Sequence, residues 1–274
     1  MKKWLAPLSL LALATAISVP AKAEVLIAPT RVVLENGQRS AELVIVNKGD
    51  EEAAFRISLE NRRMDIDGSM ETVETPLSGE LFAIDHLRYS PRRVMLEPGG
   101  RQTIRVSLKG GAMEKGEYRS HLRLMSAPAS SGRTLQSAGT HGSDGISIQL
   151  VAIRSLTIPV IARVGDLGAQ ISLDSAALET ISHTDGEMVL EAHITRSGDK
   201  STYGDIELYT AGQDEPVYFA RGIAVYTPNT KRIVKLPLPS ALSEQLKGQS
   251  VRIVYRSSDA TNPEIYSEFT RIMN

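Results

Sequence analysis

Through most of this chain apolar and polar residues alternate with a period of two. Residues 53–60 set Phe55, Ile57 and Leu59 against Arg56, Ser58 and Glu60, and residues 41–47 read A-E-L-V-I-V-N. Such alternation turns one side of a strand to a core and the other to solvent. The pattern predicts a first strand over 26–34 interrupted at Pro29, a turn at Glu35-Asn36-Gly37, then the strands 41–47 and 53–60 joined through Lys48-Gly49-Asp50. An irregular stretch through Asp65-Ile66-Asp67-Gly68 and residues 77–87 follows. Strands are next expected at 89–96, 103–108 and 118–124, the first two separated by Glu97-Pro98-Gly99-Gly100. Residues 127–145, rich in Ser, Gly, Ala and Thr, read as a long functional or disordered connection before 146–164, the longest strand-like run.

A second set of strands is predicted at 170–173, 187–194, 205–209, 217–226, 231–236, 251–255 and 264–272, with one helical turn at 242–246. No window carries a long amphipathic helix. The chain therefore reads as all-β, with two immunoglobulin-like β-sandwich domains of about seven short strands each. The boundary is placed near Val164, giving a leader over 1–23, a first domain over 24–163 and a second over 164–274.

The leader is read from its order of parts. Met1-Lys2-Lys3 is positive, residues 5–19 are apolar, and Ala21-Lys22-Ala23 offers small residues where a signal peptidase reads them. Export with cleavage after Ala23 is expected, and the apolar run is short for a membrane span. Removing Lys2, Lys3 and Lys22 leaves 28 basic against 32 acidic residues, a net charge of −4. That balance does not suit nucleic acid or an anionic membrane surface as partner. With no cysteine in the chain, two packed cores rather than disulfides must hold an exported protein together.

Motifs for catalysis are missing. The sequence has no G-x-S-x-G, H-E-x-x-H, P-loop or G-x-G-x-x-G. His86, His121, His141, His183 and His193 stand apart without a second ligand at metal spacing, and Asp65-Ile66-Asp67-Gly68 lacks the further carboxylates of a calcium loop. His183-Thr184-Asp185-Gly186 is turn chemistry. No enzyme activity, cofactor or metal is expected. An adhesin or carbohydrate-binding sandwich is the alternative reading, and the absence of tryptophan outside the leader counts against it.

Three segments, in order, resemble the PapD-like periplasmic chaperones of the chaperone-usher pathway. Ile27-Ala28-Pro29-Thr30-Arg31-Val32-Val33-Leu34 looks like the family's first strand. Residues 90–108, through Leu96-Glu97-Pro98-Gly99, are similar to its L-x-P-G turn and the strand after it, and Glu117-Tyr118-Arg119 leads the strand before the long loop. Arg154-Ser155-Leu156-Thr157-Ile158-Pro159 aligns with a basic residue five positions before the proline that ends the family's first domain. Where the family commonly has Tyr-Arg-Pro, this chain has Thr157-Ile158-Pro159. The arginine that pairs with an acid at the domain junction is thus absent from its usual place, which leaves Arg163 or a different construction for that role.

The resemblance implies a periplasmic chaperone that caps a pilus or fimbrial subunit and delivers it to an outer-membrane usher. By β-augmentation it would lay its own strand into the groove of an incomplete subunit. Ile146, Ile148 and Leu150 are the implied inserted face, although I-x-I-x-L also suits residues filling the protein's own core. Arg31 and Arg154 are implied to grip the subunit's terminal carboxylate, since guanidinium groups are permanently charged, planar and bidentate.

Overall fold

A computed structural model describes residues 25–127, 154–180, 188–259 and 263–273; the side chains of Ala127, Glu179 and Thr180 are not described. Ile146, Ile148 and Leu150, nearly all of the connection 127–145, and the Ala23 cleavage site lie outside the described residues.

The first sandwich is built from β1 (Val25–Ala28), β2 (Val32–Leu34), β3 (Ser40–Asn47), β4 (Ala53–Met64), β5 (Met70–Val73), β6 (Leu87–Ser90), β7 (Arg93–Leu96), β8 (Arg101–Leu108), β9 (Gly116–Ala127) and β10 (Ser155–Val164). One sheet has the order β1-β3-β8-β6. The other runs β2-β10-β9-β4-β5, with β7 beside β4. Leu43, Ile45, Ile104 and Val106 of the first sheet pack on Leu122, Leu124, Ile158 and Val160 of the second, all nearly inaccessible to solvent. Burial of each such side chain is worth about 1.5–3 kcal/mol.

The second sandwich comprises β11 (Ala169–Thr180), β12 (Met188–Gly198), β13 (Thr202–Thr210), β14 (Tyr218–Val225), β15 (Lys231–Pro237), helix α1 (Ser240–Leu246), β16 (Ser250–Ser257) and β17 (Ile265–Ile272). Its sheets are β11-β12-β15 and β14-β13-β16-β17. Leu190, Ile194 and Val234 face Ile206, Leu208 and Ile253 across its core. The protein is therefore all-β, in two immunoglobulin-like sandwiches.

Two runs expected as single strands are each two strands in different sheets. The run 26–34 divides at Pro29 into β1 and β2, and the run 89–96 divides at Pro91 into β6 and β7. Proline has no N–H to give to a ladder, so the chain changes partner there. Pro159, which aligns with the proline near the end of the family's first domain, lies within a strand. It pairs with His121 inside β10, which continues to Val164. The β2 ladder begins only at Val160, so the prolyl nitrogen one residue earlier leaves no gap in it.

The sandwiches meet through a third apolar cluster, in which Met64 and Ile161 of the first bury against Ala224 and Tyr226 of the second. The turn 65–68 joins β4 to β5, a strand the sequence did not suggest. It docks on the second sandwich: the Ile233 amide donates to the Ile66 carbonyl at 2.8 Å, and the Asn229 side chain donates to the Met64 carbonyl at 2.8 Å.

Candidate functional site

The alternation that fills the first core also decides what faces the second sandwich. On β9, Tyr118, Leu122 and Leu124 point into the core, so Glu117, Arg119, His121 and Arg123 point outward. On β10, Ile158, Val160 and Ala162 point inward and leave Thr157, Pro159, Ile161 and Arg163 outside. Arg31 with Val33 on β2, and Glu60, Arg62 and Met64 on β4, lie on the same outer face by the same rule. The second sandwich covers one end of this face, at Ile161 and Met64.

At the covered end the polar groups are matched. The Glu117 side chain is fully buried and accepts from Arg163 Nε at 2.9 Å, the Ser201 amide at 3.0 Å, the Ser201 hydroxyl, and Thr227 Oγ1 at 3.3 Å. Arg163 also donates to Glu35 at 2.9 Å and to the Ser201 carbonyl at 3.4 Å. Burial works against the charge on Arg163, but Glu35 and Glu117 outweigh it and its pKa lies above the ordinary value. Arg163 thus fills the junction role that the sequence left open.

For the neighbouring arginines the matching is incomplete. Arg31 is half-buried, its guanidinium carbon 3.7 Å from the centroid of the Tyr203 ring, and its Nε and Nη2 are inaccessible to solvent with no hydrogen-bond partner. Arg119, 5% exposed, stacks at 4.2 Å on Tyr226 and donates through Nη1 to the Arg62 carbonyl at 3.1 Å, while its Nε has no partner. Arg62 donates to Thr157 Oγ1 at 3.0 Å and lies 3.4 Å from Glu60, yet its Nε makes no hydrogen bond. His121 Nδ1 is likewise unpartnered. Burial lowers the pKa of both Arg31 and Arg119. Burial, then the charges of Arg119 and Arg62, hold His121 down at about 3. The site therefore holds buried positive charge whose hydrogen-bond donors are only partly used.

The chain is similar to chaperones of known structure. A chain of the CsuC-CsuE chaperone-tip adhesion subunit pre-assembly complex, from archaic chaperone-usher Csu pili of Acinetobacter baumannii, shares 14% identity over 89% of this chain and 97% of that one, with a TM-score of 0.47. The E. coli chaperone DraB shares 13% over 92% of this chain and 97% of its own, at a TM-score of 0.46. The Pseudomonas aeruginosa CupB2 chaperone shares 13% over 91% and 100%, also at 0.46. No protein-family model matches the sequence, and no curated protein does.

Of the residues singled out from sequence, the structure puts Arg31 and Arg154 apart. Arg31 precedes Val32, which pairs with Val160, so it stands level with Pro159; Arg154 lies five positions further along, about 16 Å at the rise of a strand. Arg154 is exposed, and its amide donates to Ser126 Oγ at 2.8 Å. It borders an apolar pocket of about 330 Å³ lined by Val25, Ile27, Phe55, Leu124 and Leu156, between the edges of the two sheets. Arg62, Arg119 and His121, which share this face with unpartnered buried atoms, were not singled out from sequence. For Arg119 and His121 the signal was present in the R-S-H-L-R of 119–123, where every charged residue falls on the side of the strand opposite to the core. Among the described residues no group of three His, Asp or Glu is placed to hold a metal.

Proposed function

We propose that this protein is a periplasmic chaperone, non-enzymatic and exported by cleavage after Ala23, that caps pilus or fimbrial subunits by donating a strand and delivers them to an outer-membrane usher. Residues 24–163 form the subunit-binding domain in this reading and 164–274 close the cleft behind it. The observation that carries it is Arg31: a permanently charged group held between the sandwiches on Tyr203 with two buried donors unspent. An unmatched guanidinium costs stability, so its place here is accounted for by a ligand that supplies the missing acceptors.

The strand edge beside it fits the same role. Among the described residues, nothing pairs with β10 on the side away from β9 before Val160, and Leu156 there is 45% exposed. Extended backward through Leu150, Ile148 and Ile146, this edge would enter the subunit's groove, main-chain bonds giving affinity and alternate side chains fit. Arg31 is the anchor for the subunit's terminal carboxylate at the inner end. Arg154, at the outer end, serves as a separate contact with the subunit.

The test is co-purification of the chain with its subunit from periplasm, for wild type, Arg31→Ala and Ile148→Asp, with circular dichroism of each. Both variants should stay folded and lose subunit. Loss of one charge-assisted contact, about 1.5–3 kcal/mol, corresponds to roughly ten- to hundredfold in affinity. Subunit retained at the wild-type level by Arg31→Ala would sink the reading.

A further inference from the structure

Where the chain crosses from the first sandwich to the second, it runs along a cavity of about 660 Å³. The first sandwich supplies the β2–β3 turn, Glu35 to Arg39, and the end of β10; the crossing supplies Gly165, Asp166 and Leu167; the turn after β12 supplies Lys200. Half-buried Leu108, Met113, Val164 and Leu167 give it an apolar lining. Sites for small molecules run from about 300 to 1,000 Å³ and favour domain junctions. The walls are fixed without a ligand: the Gln38 amide donates to the Glu35 carbonyl at 2.9 Å, the Leu108 amide to the Arg39 carbonyl at 2.8 Å, and the Asp199 and Lys200 amides to the Gly168 carbonyl at 3.0 and 3.2 Å.

The charges around this cavity are of two kinds. Arg163 and Glu35 satisfy each other across one wall at 2.9 Å. Arg39 and the half-buried Lys200 have no ion-pair partner among the described residues, and Arg39 spends one nitrogen on the Lys109 carbonyl at 2.9 Å. Asp166 is the one lining carboxylate without an ion pair, and it is exposed. Two free cations against one free carboxylate leave the lining short of one negative charge. The two cations come from different sandwiches, so a single anion between them touches both bodies.

We infer that this cavity binds a small apolar acid, its hydrocarbon body against Leu108, Met113, Val164 and Leu167 and its carboxylate between Arg39 and Lys200. A purely apolar ligand would leave both cations unpaired at the edge of an apolar site, and a small hydrophilic anion would forgo the lining. Charge-assisted bonds from a guanidinium and an ammonium suit a carboxylate head. Because the crossing itself forms one wall, a bound acid ties the two sandwiches together at their pivot. The site is separate from the strand edge proposed for the subunit: Val164 and Arg154 stand at opposite ends of β10, roughly 30 Å apart along the strand. It therefore does not rest on the chaperone reading.

Methyl resonances of the exported chain test this. Octanoate is titrated against wild type, Arg39→Gln and Lys200→Gln, with octan-1-ol and acetate as the probes that lack the head or the body. Octanoate should move the methyl signals of Met113 and Leu167 and leave that of Leu156, in the apolar pocket at the start of β10, in place. Octan-1-ol should bind about tenfold more weakly, and acetate should move neither signal. Each substitution should weaken octanoate about tenfold and leave octan-1-ol unchanged. A still Met113 signal beside a moving Leu156 signal would put any binding in the other pocket and overturn the site. Equal affinity for octanoate and octan-1-ol, or variants that take octanoate as wild type does, would overturn the assignment of an acid. The wild-type signals are read without any substitution, so a misfolded variant does not remove the test.

Discussion

Arg163 and Arg119 sit on neighbouring strands of one sheet, on the same face, and the second sandwich shields both. Their surroundings differ completely. Arg163 meets two carboxylates and a carbonyl; Arg119 meets an aromatic ring and one carbonyl, with Nε left over. A pairing that is complete in the isolated protein holds the domains together. One left incomplete keeps a donor in reserve. The same residue type is thus fully paired at one position of the face and partly paired at another two residues along, and the local supply of acceptors decides which.

The sharpest way to break this contrast is at Glu117. Glu117→Ala removes the acceptor shared by Arg163, Ser201 and Thr227 and leaves a buried guanidinium partly uncompensated. It should cost about 3–5 kcal/mol in urea unfolding. A cost under about 1 kcal/mol would mean that the junction is not held by this pair.

The next effect concerns acid. His121 is neutral in the folded protein, with a pKa of about 3 against 6.5 for the ordinary group. The unfolded chain therefore binds the extra proton first, and this stability is fully present above pH 6.5 and lost as pH falls from 6.5 toward 3. His121→Gln should flatten the acid side of the stability curve, and the difference from wild type between pH 7 and pH 4 should approach about 3 kcal/mol. Parallel curves would show that His121 takes up its proton without penalty.

Gly68, at φ +84°, lies against Arg232, and a Cβ there would strike the guanidinium. Gly68→Ala should cost about 1–2 kcal/mol by thermal unfolding, since both the backbone and the contact resist it. Smallest is the effect of Arg31→Ala on stability. It loses the stacking on Tyr203 but also removes two unpaired donors, so unfolding should stay within about 1 kcal/mol of wild type. A large loss would move Arg31 to the structural side of the comparison.

Much of the fold was legible in the period-two pattern. The run 41–47 became β3 (Ser40–Asn47), and the single helical turn at 242–246 became α1 (Ser240–Leu246). The pattern failed where pairing rather than burial defines the strand. β4 runs on to Met64 because residues 61–64 pair with the polar β5. β11 extends to Thr180, well past the expected 173, because its register shifts between Leu173 and Ser175 and the small Ser-Ala-Ala run hides the alternation. At the site, Arg31 could be named because it lies in a segment that resembles a known strand. The setting of Arg119 could not be read, since it depends on Tyr226, more than a hundred positions away.

The β4–β5 turn bears on how the cleft behaves mechanically. A chain that crosses between two bodies once, as this one does between β10 and β11, makes a pivot. Here a hairpin from the first body also reaches over and bonds to the second, adding a fixing set apart from the crossing and the Glu117–Ser201 contacts, with the arginine face between. Two separated fixings form a bracket, and the length of β4, 12 residues, sets its span. The separation of the two sandwiches is thereby a built dimension of the protein, gauged by one strand.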